Sequence, residues 1–141
     1  MADVVEPHEV SCQFEIERAL YAKAVEASPD AKIIIDRAGR IVIANQQAEY
    51  LFEYARSEMI GQPIEMLMES TLAASHAQHR GTFFQAPRIR EMGEGRMLEG
   101  RKRDGQPFRV QIKLAPLVVA QGGLYVMAVV RAVASPMSGV T

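Results

Sequence analysis

The chain has 141 residues, 48% of them hydrophobic, and a formal net charge of −1. This length suits one domain with a sizeable core, and the near-neutral charge gives no preference for nucleic acid or for an anionic membrane. The single cysteine, Cys12, excludes an internal disulfide and a cysteine-rich metal site. No apolar run reaches the length of a membrane span, and the N-terminus lacks the order of a signal peptide, so we expect a cytoplasmic protein without a membrane partner.

The first predicted element is a helix over residues 11–27, which Pro29 brings to an end. The apolar side chains of this helix form two neighbouring stripes, at Phe14, Ile16, Leu20, Tyr21 and Val25. An apolar arc this wide indicates that the helix covers a second surface. We predict that this surface is the outer face of the chain's own sheet, a second copy of the chain, or both. These five residues are therefore the candidate dimer interface.

Two short apolar runs follow, separated by a tight turn, and they predict a hairpin with strands at 32–36 and 40–44. Asn45 then stands at the start of a helical pattern that ends near Phe52. The Asn45 side chain is suited to cap this helix, because it can accept a hydrogen bond from a free N–H of the first turn.

The middle of the chain predicts three further helical segments. Ser57 is a second cap candidate, and Pro63 is suited to open a short helical turn. A longer helix is predicted from residue 69 or 70 to about residue 84, and it carries two of the three histidines, His76 and His79.

The last third of the chain predicts a β-meander with strands at 94–101, 107–118 and 123–132. Asp104-Gly105 marks the first turn, because glycine tolerates the positive φ that tight hairpins need. In residues 108–114 apolar and polar residues alternate strictly, which predicts that this strand has one buried and one solvent-exposed face. The first hairpin and the last strand are instead apolar on both faces, so they require cover on both sides.

The order of two strands, several short helices and three strands resembles the PAS fold over about residues 27–133. Local motifs carry the resemblance: DRAGRI at 36–41, Asn45 with Leu51-Phe52, Ile60-Gly61, and KRDG at 102–105. It implies an α+β fold with a five-stranded antiparallel sheet, short helices on one face, and the N-terminal helix on the outer face or in a dimer interface. The implied domains are a leader and helix at 1–27, a PAS core at 28–133 and a tail at 134–141.

PAS domains sense small ligands, haem, flavin or redox state, or they only dimerise. The resemblance therefore implies a sensory module of a bacterial signal-transduction protein, with a small ligand between sheet and helices and a homodimer that signals to a histidine kinase or another effector. The chain is then a stand-alone PAS protein or the input domain of a longer one. The alternative is a ligand-free PAS dimerisation module. We expect no enzyme, because the sequence has no nucleotide-binding loop and no catalytic cluster.

The segment at 76–105 resembles the corresponding part of oxygen-sensing haem PAS domains. In those domains a helix histidine binds the iron, and an arginine in a Gly-x-Gly-Arg context contacts oxygen, which assigns these roles to His76 and Arg96. The resemblance also implies two distal residues and a propionate partner, namely Ile112, Leu114 and Arg90.

Two observations weigh against these cofactors. Glu91 stands where the haem sensors have an aliphatic residue, and a carboxylate near the distal pocket is costly to bury. His76 then has a plainer interpretation as a histidine that packs or hydrogen-bonds at the helix surface. A flavin photoreceptor is disfavoured because it needs a cysteine on a later helix, and Cys12 is on the wrong element. The identity of the ligand stays open at this stage.

Overall fold

The computed structural model describes residues 7–68, 90–91, 98–120 and 123–133, with side chains from residue 13 onward except at 90–91. Within these residues the helices are α1 (Pro7–Glu26), α2 (Gln46–Phe52) and α3 (Arg56–Met59), followed by a 3₁₀ turn at Ile64–Leu67. The strands are β1 (Ala31–Ile35), β2 (Ile41–Ala44), β3 (Arg90–Glu91), β4 (Leu98–Arg101), β5 (Pro107–Val119) and β6 (Gly123–Ala132).

The strands form one antiparallel sheet in the order β2-β1-β6-β5, with β3 and β4 both beside β5. Because β3 pairs with residues 113–114 of β5 and β4 pairs with residues 107–110, the sheet has five strand positions. The predicted five-stranded antiparallel sheet is therefore confirmed. The predicted strand at 94–101 is observed from Leu98, while residues 92–97 and the predicted helix at 69–84 lie outside the described residues.

The core lies between one face of the sheet and the short helices that follow β2. Its largest fully buried apolar side chains are Ile33, Ile41, Met59 and Val110. Burial of each such side chain contributes roughly 1.5–3 kcal/mol. The predicted alternation on β5 is confirmed, because Val110 is buried while Arg109 and Gln111, its neighbours on either side, are exposed. The first turn of the meander is confirmed as well, with Gly105 at a φ of 88°.

Asn45 caps α2 as predicted. Its side-chain oxygen accepts from the backbone N–H of Ala48 at 3.1 Å, which satisfies a free donor of the first turn. The same oxygen accepts from the N–H of Lys32 at 2.9 Å. One side chain therefore joins the start of α2 to the first strand of the sheet.

The predicted cap at Ser57 is wrong. Helix α3 begins at Arg56, so Ser57 lies inside its first turn and Ala55 occupies the cap position. Two carboxylates take the role of a capping hydroxyl: Glu58 accepts from the N–H of Ala55 at 2.9 Å, and Glu49 accepts from the N–H of Arg56 at 3.1 Å. Acidic side chains suit this position because the free N–H groups carry partial positive charge.

Glu53 ends α2 in the left-handed region, with a φ of 63° and a ψ of 35°. It is the one residue other than glycine with positive φ among the described residues. A side chain in this region costs about 1–2 kcal/mol, because its Cβ crowds the backbone. The exposed contact between Glu53 Oε1 and Lys102 Nζ, at 3.5 Å, recovers little of that cost.

We expect Glu53→Gly to raise the free energy of unfolding by about 0.5–1 kcal/mol, since relief of the strain exceeds the added chain entropy of glycine. Urea unfolding followed by circular dichroism measures the change. Glu53→Ala is the control, because it also removes the Lys102 contact but keeps a Cβ in the strained region. If the glycine variant proves no more stable than the alanine variant, the strain does not exist.

Helix α1 does not cover the outer face of its own sheet, so that alternative for its position is wrong. All side chains from residue 13 to residue 24 are exposed. The physical reason lies in the sequence of the helix, where Glu17 and Arg18 interrupt the two apolar stripes and leave no face that is apolar along its whole length. The other alternative, a dimer interface, stays a prediction.

Candidate functional site

The first candidate site is the apolar surface of α1. Phe14, Leu20 and Tyr21 expose 61%, 63% and 72% of their area, and Ile16 is similarly open. Val25 differs from these four because its side chain is half-buried at the end of the helix. Several large apolar side chains exposed on one element are the kind of surface that marks a protein interaction site.

The second candidate site is an apolar row that crosses the outer face of the sheet. Strand pairing places Ile43 of β2 opposite Ile34 of β1, Ile34 opposite Met127 of β6, and Met127 opposite Ala115 of β5. We call these four residues the outer row. Ile43 remains 46% exposed at the end of the row. The outer row is therefore an apolar stripe across four strands that the described chain leaves partly uncovered.

A basic row lies beside the outer row. Val129 of β6 stands between Lys32 of β1 and Lys113 of β5, so two ammonium groups flank the apolar stripe on one side. Helix α1 carries the opposite charge at Glu17, which is exposed and lies one turn from Phe14 and from Leu20. The two surfaces share apolar character, and Glu17 is opposite in charge to the basic row.

The third candidate site is the inner face of β5, which the resemblance assigns to a ligand. Ile112 and Leu114 are half-buried there and pack against the core beside Val110. Their partners on β6 are Val130 and Ala128, so this wall is apolar and suits an apolar ligand. The structure thus places two of the predicted ligand residues side by side on one apolar surface.

The side chains of the other three predicted ligand residues are not among those that the structure describes. His76 and Arg96 lie outside the described residues, and Arg90 is placed only by its backbone, opposite Leu114 at the start of β3. The described wall fits one apolar side of a haem. The assignment of an iron ligand to His76 and of an oxygen contact to Arg96 stays a prediction.

Sequence reasoning missed an ion pair between the linker after α1 and the end of β6. Arg131 Nη2 lies 3.1 Å from Asp30 Oδ2, and Arg131 Nε donates to Asp30 Oδ1 at 3.2 Å. The hydrogen bond from Arg131 lowers the pKa of the Asp30 carboxyl, and the positive charges of Arg131 and Lys32 act in the same direction. Because this folded-state pKa lies below the unfolded one, the stabilisation is present at neutral pH and is lost as the pH falls below about 4.

Two classes of site find no support in the described part of the chain. None of its helices combines the length and the apolar character needed to cross a membrane. In the same part of the chain, histidine, cysteine, aspartate and glutamate form no group of three or more that could hold a metal ion.

Comparison with known proteins identifies a family and two sensory relatives. The sequence model of the PAS fold matches residues 19–133. The oxygen sensor protein DosP of Escherichia coli K12 is 29% identical over 112 residues, which is 79% of this chain and 14% of DosP. The sensor protein FixL of Bradyrhizobium diazoefficiens is 30% identical over 89 residues, or 63% of this chain and 18% of FixL. The chain thus spans less than a fifth of either relative.

Solved structures agree with this result at the level of the fold. The PAS domain of an HTR-like protein from Haloarcula marismortui superposes with a TM-score of 0.73 at 21% identity, covering 89% of this chain and 99% of that domain. The similarity in fold extends over nearly the whole of that domain.

Proposed function

The chain belongs to the PAS family, and from this premise we propose that it is a signal-sensing domain that binds a small ligand between sheet and helices and signals as a homodimer through α1. DosP and FixL are both named sensors, which supports a role in signalling. The single observation that carries the proposal is the exposed apolar surface of α1 attached to a complete PAS sheet. A sensor needs a surface that can report a change elsewhere in the domain, and α1 offers one.

The proposed partner of α1 is a second copy of this chain. Its outer row offers an apolar stripe of matching character, and Lys32 and Lys113 flank that stripe where Glu17 of α1 can approach. A symmetric dimer buries two such contacts at once, because each copy contributes the same two surfaces. The alternative partner, a histidine kinase or another effector module, would use the same surfaces in place of the second copy.

The ligand proposed first is haem. DosP is named an oxygen sensor, and the sequence offers His76 as iron ligand and Arg96 as an oxygen contact. Haem would supply reversible binding of a diatomic gas. The chain would hold the haem and change its conformation when the gas binds. Ile112 and Leu114 would supply apolar contacts on the distal side of the ring, on the inner face of β5.

The absorption spectrum of the purified protein, recorded before and after addition of hemin, tests this ligand. We expect a sharp Soret band that is lost in His76→Ala, because the imidazole is the proposed iron ligand. His79→Ala is the matched control on the same predicted helix and is expected to keep the band. A flat spectrum without hemin uptake would contradict haem and leave a colourless metabolite as the ligand.

A second candidate function is a PAS domain that only dimerises. It is favoured by the core around Ile33, Ile41, Met59 and Val110, each no more than 1% exposed, where the described side chains pack against one another. Under this hypothesis the protein forms a dimer but no small molecule raises its melting temperature. Both candidates are non-catalytic, and we propose no enzymatic activity for the chain.

A further inference from the structure

Helix α1 is held to the rest of the chain through its C-terminal end. The side chains from residue 13 to residue 24 are exposed, whereas those of Val25 and Glu26 are half-buried. Glu26 pairs with Arg56 at the start of α3, and Glu49 of α2 shares the same guanidinium at 3.4 Å. The direction in which α1 leaves the core is therefore decided by contacts at its last turn and in the linker that follows.

The strongest of these contacts come from Asn45. Its amide nitrogen donates to the carbonyl of Val25 at 2.8 Å and to the carbonyl of Asp30 at 3.0 Å, one on each side of the linker. Its oxygen faces the core and accepts from the N–H groups of Lys32 and Ala48. The side chain is fully buried, so these directional bonds are shielded from water. One amide thus fixes the end of α1 relative to β1 and α2.

Asp30 is also held from the opposite end of the chain. Its carboxylate binds the guanidinium of Arg131 through two contacts, and Arg131 is the last residue but one of β6. The carbonyl of Asp30 binds Asn45 at the same time. Because Arg131 is 69% exposed, this ion pair is open to screening by salt and to competition from other charges.

We infer that Asn45, Asp30 and Arg131 form a mount that sets the direction of α1, and that Arg131 makes this direction depend on the position of the end of β6. A shift of that end moves the carboxylate of Asp30, and with it the carbonyl that Asn45 binds. A second direction of α1 costs little packing because residues 13–24 are exposed. The mount concerns α1 and the core alone, so it depends neither on the ligand nor on the dimer of the proposed function.

Distances between two spin labels test the mount directly. The labels are attached at Ala19→Cys on α1 and at Glu99→Cys on β4, both exposed positions, with Cys12→Ser removing the native thiol. Dilution with unlabelled protein suppresses distances between copies. Double electron–electron resonance then gives the distribution of distances between α1 and the core, and we expect a single narrow peak for this reference protein.

Two variants remove different contacts of the mount. Arg131→Gln removes the ion pair with Asp30. Asn45→Asp keeps the acceptor oxygen that caps α2 but loses both donors to the linker. Each is expected to widen the distribution about twofold, because several directions of α1 replace one. Arg103→Gln is the matched control: it removes an exposed ion pair with Glu58 that shares no residue with the mount, and it is expected to change nothing.

The outcomes separate the parts of the inference. An unchanged distribution in Arg131→Gln overturns the link to β6, and an unchanged distribution in both variants overturns the mount. A reference protein whose distribution is already as wide as that of the variants also contradicts it. If Asn45→Asp does not fold by circular dichroism, Arg131→Gln decides alone. A narrow distribution restored by the exchanged pair Asp30→Arg with Arg131→Asp supports a direct contact.

Discussion

If α1 forms the proposed dimer interface, Leu20→Glu is expected to weaken self-association by about 100-fold or more, since a charge then takes the place of a leucine that the dimer desolvates. Leu20 is 63% exposed in one chain and lies among the apolar side chains of α1. Leucine and glutamate are both good helix formers, so α1 itself persists in the variant. Sedimentation equilibrium over a range of protein concentrations measures the dissociation constant.

Ala22→Glu is the matched control for this experiment. It introduces the same charge on the same helix at another exposed position, about 160° around the axis from Leu20 at 3.6 residues per turn. We expect it to leave the dissociation constant nearly unchanged. If both variants weaken association equally, the effect is one of net charge and not of the apolar surface. If neither does, α1 is not the interface.

Asn45→Ala is expected to lower the free energy of unfolding by about 3–4 kcal/mol, because it removes four hydrogen bonds of a buried side chain and leaves buried backbone groups without them. The four bonds join the N–H groups of Lys32 and Ala48 to the carbonyls of Val25 and Asp30 through one amide. The loss therefore affects the cap of α2, the start of β1 and the end of α1 together. Urea unfolding followed by circular dichroism measures it.

The neighbouring residue provides the control. Gln46 is exposed, and among the described residues its amide has a long contact of 3.4 Å with the Tyr50 hydroxyl, so Gln46→Ala is expected to change stability by less than about 0.5 kcal/mol. Asn45→Asp keeps both acceptor contacts but sets a buried carboxylate oxygen against the carbonyls of Val25 and Asp30, so it is expected to cost at least as much as Asn45→Ala. A loss below about 1 kcal/mol in Asn45→Ala would mean that water replaces the amide at this site and that the four bonds contribute little to stability.

Structural features that depend on residues close together in the sequence were predictable from the sequence alone. The alternation in residues 108–114, the turn at Asp104-Gly105 and the cap at Asn45 each follow from contacts between residues a few positions apart. Local periodicity and local hydrogen bonds decide such features, so the sequence carries them directly. The prediction that Ser57 caps α3 was wrong because the carboxylates of Glu49 and Glu58 accept from the N–H groups at the start of this helix. The position of a serine in the sequence does not reveal that these carboxylates take its place.

Features that depend on distant residues were not predictable in detail. The apolar strands indicated that both faces need cover, but the outer row depends on the register that sets Ile34 beside Ile43 and Met127. The pair of Asp30 with Arg131 joins positions 101 residues apart, and the second role of Asn45 depends on where the chain returns after α1. Only the folded sheet brings these groups together, so their contacts cannot be predicted from residue spacing or composition.

Native mass spectrometry of the purified wild-type protein tests the central claim most directly, because it reports the number of chains and any bound small molecule in one spectrum. We expect a species of twice the 15.6 kDa of one chain, with additional mass from a ligand. A dimer without additional mass supports the alternative that the domain only dimerises. A bare monomer at every concentration would contradict the claim that this PAS domain senses a ligand and signals through α1.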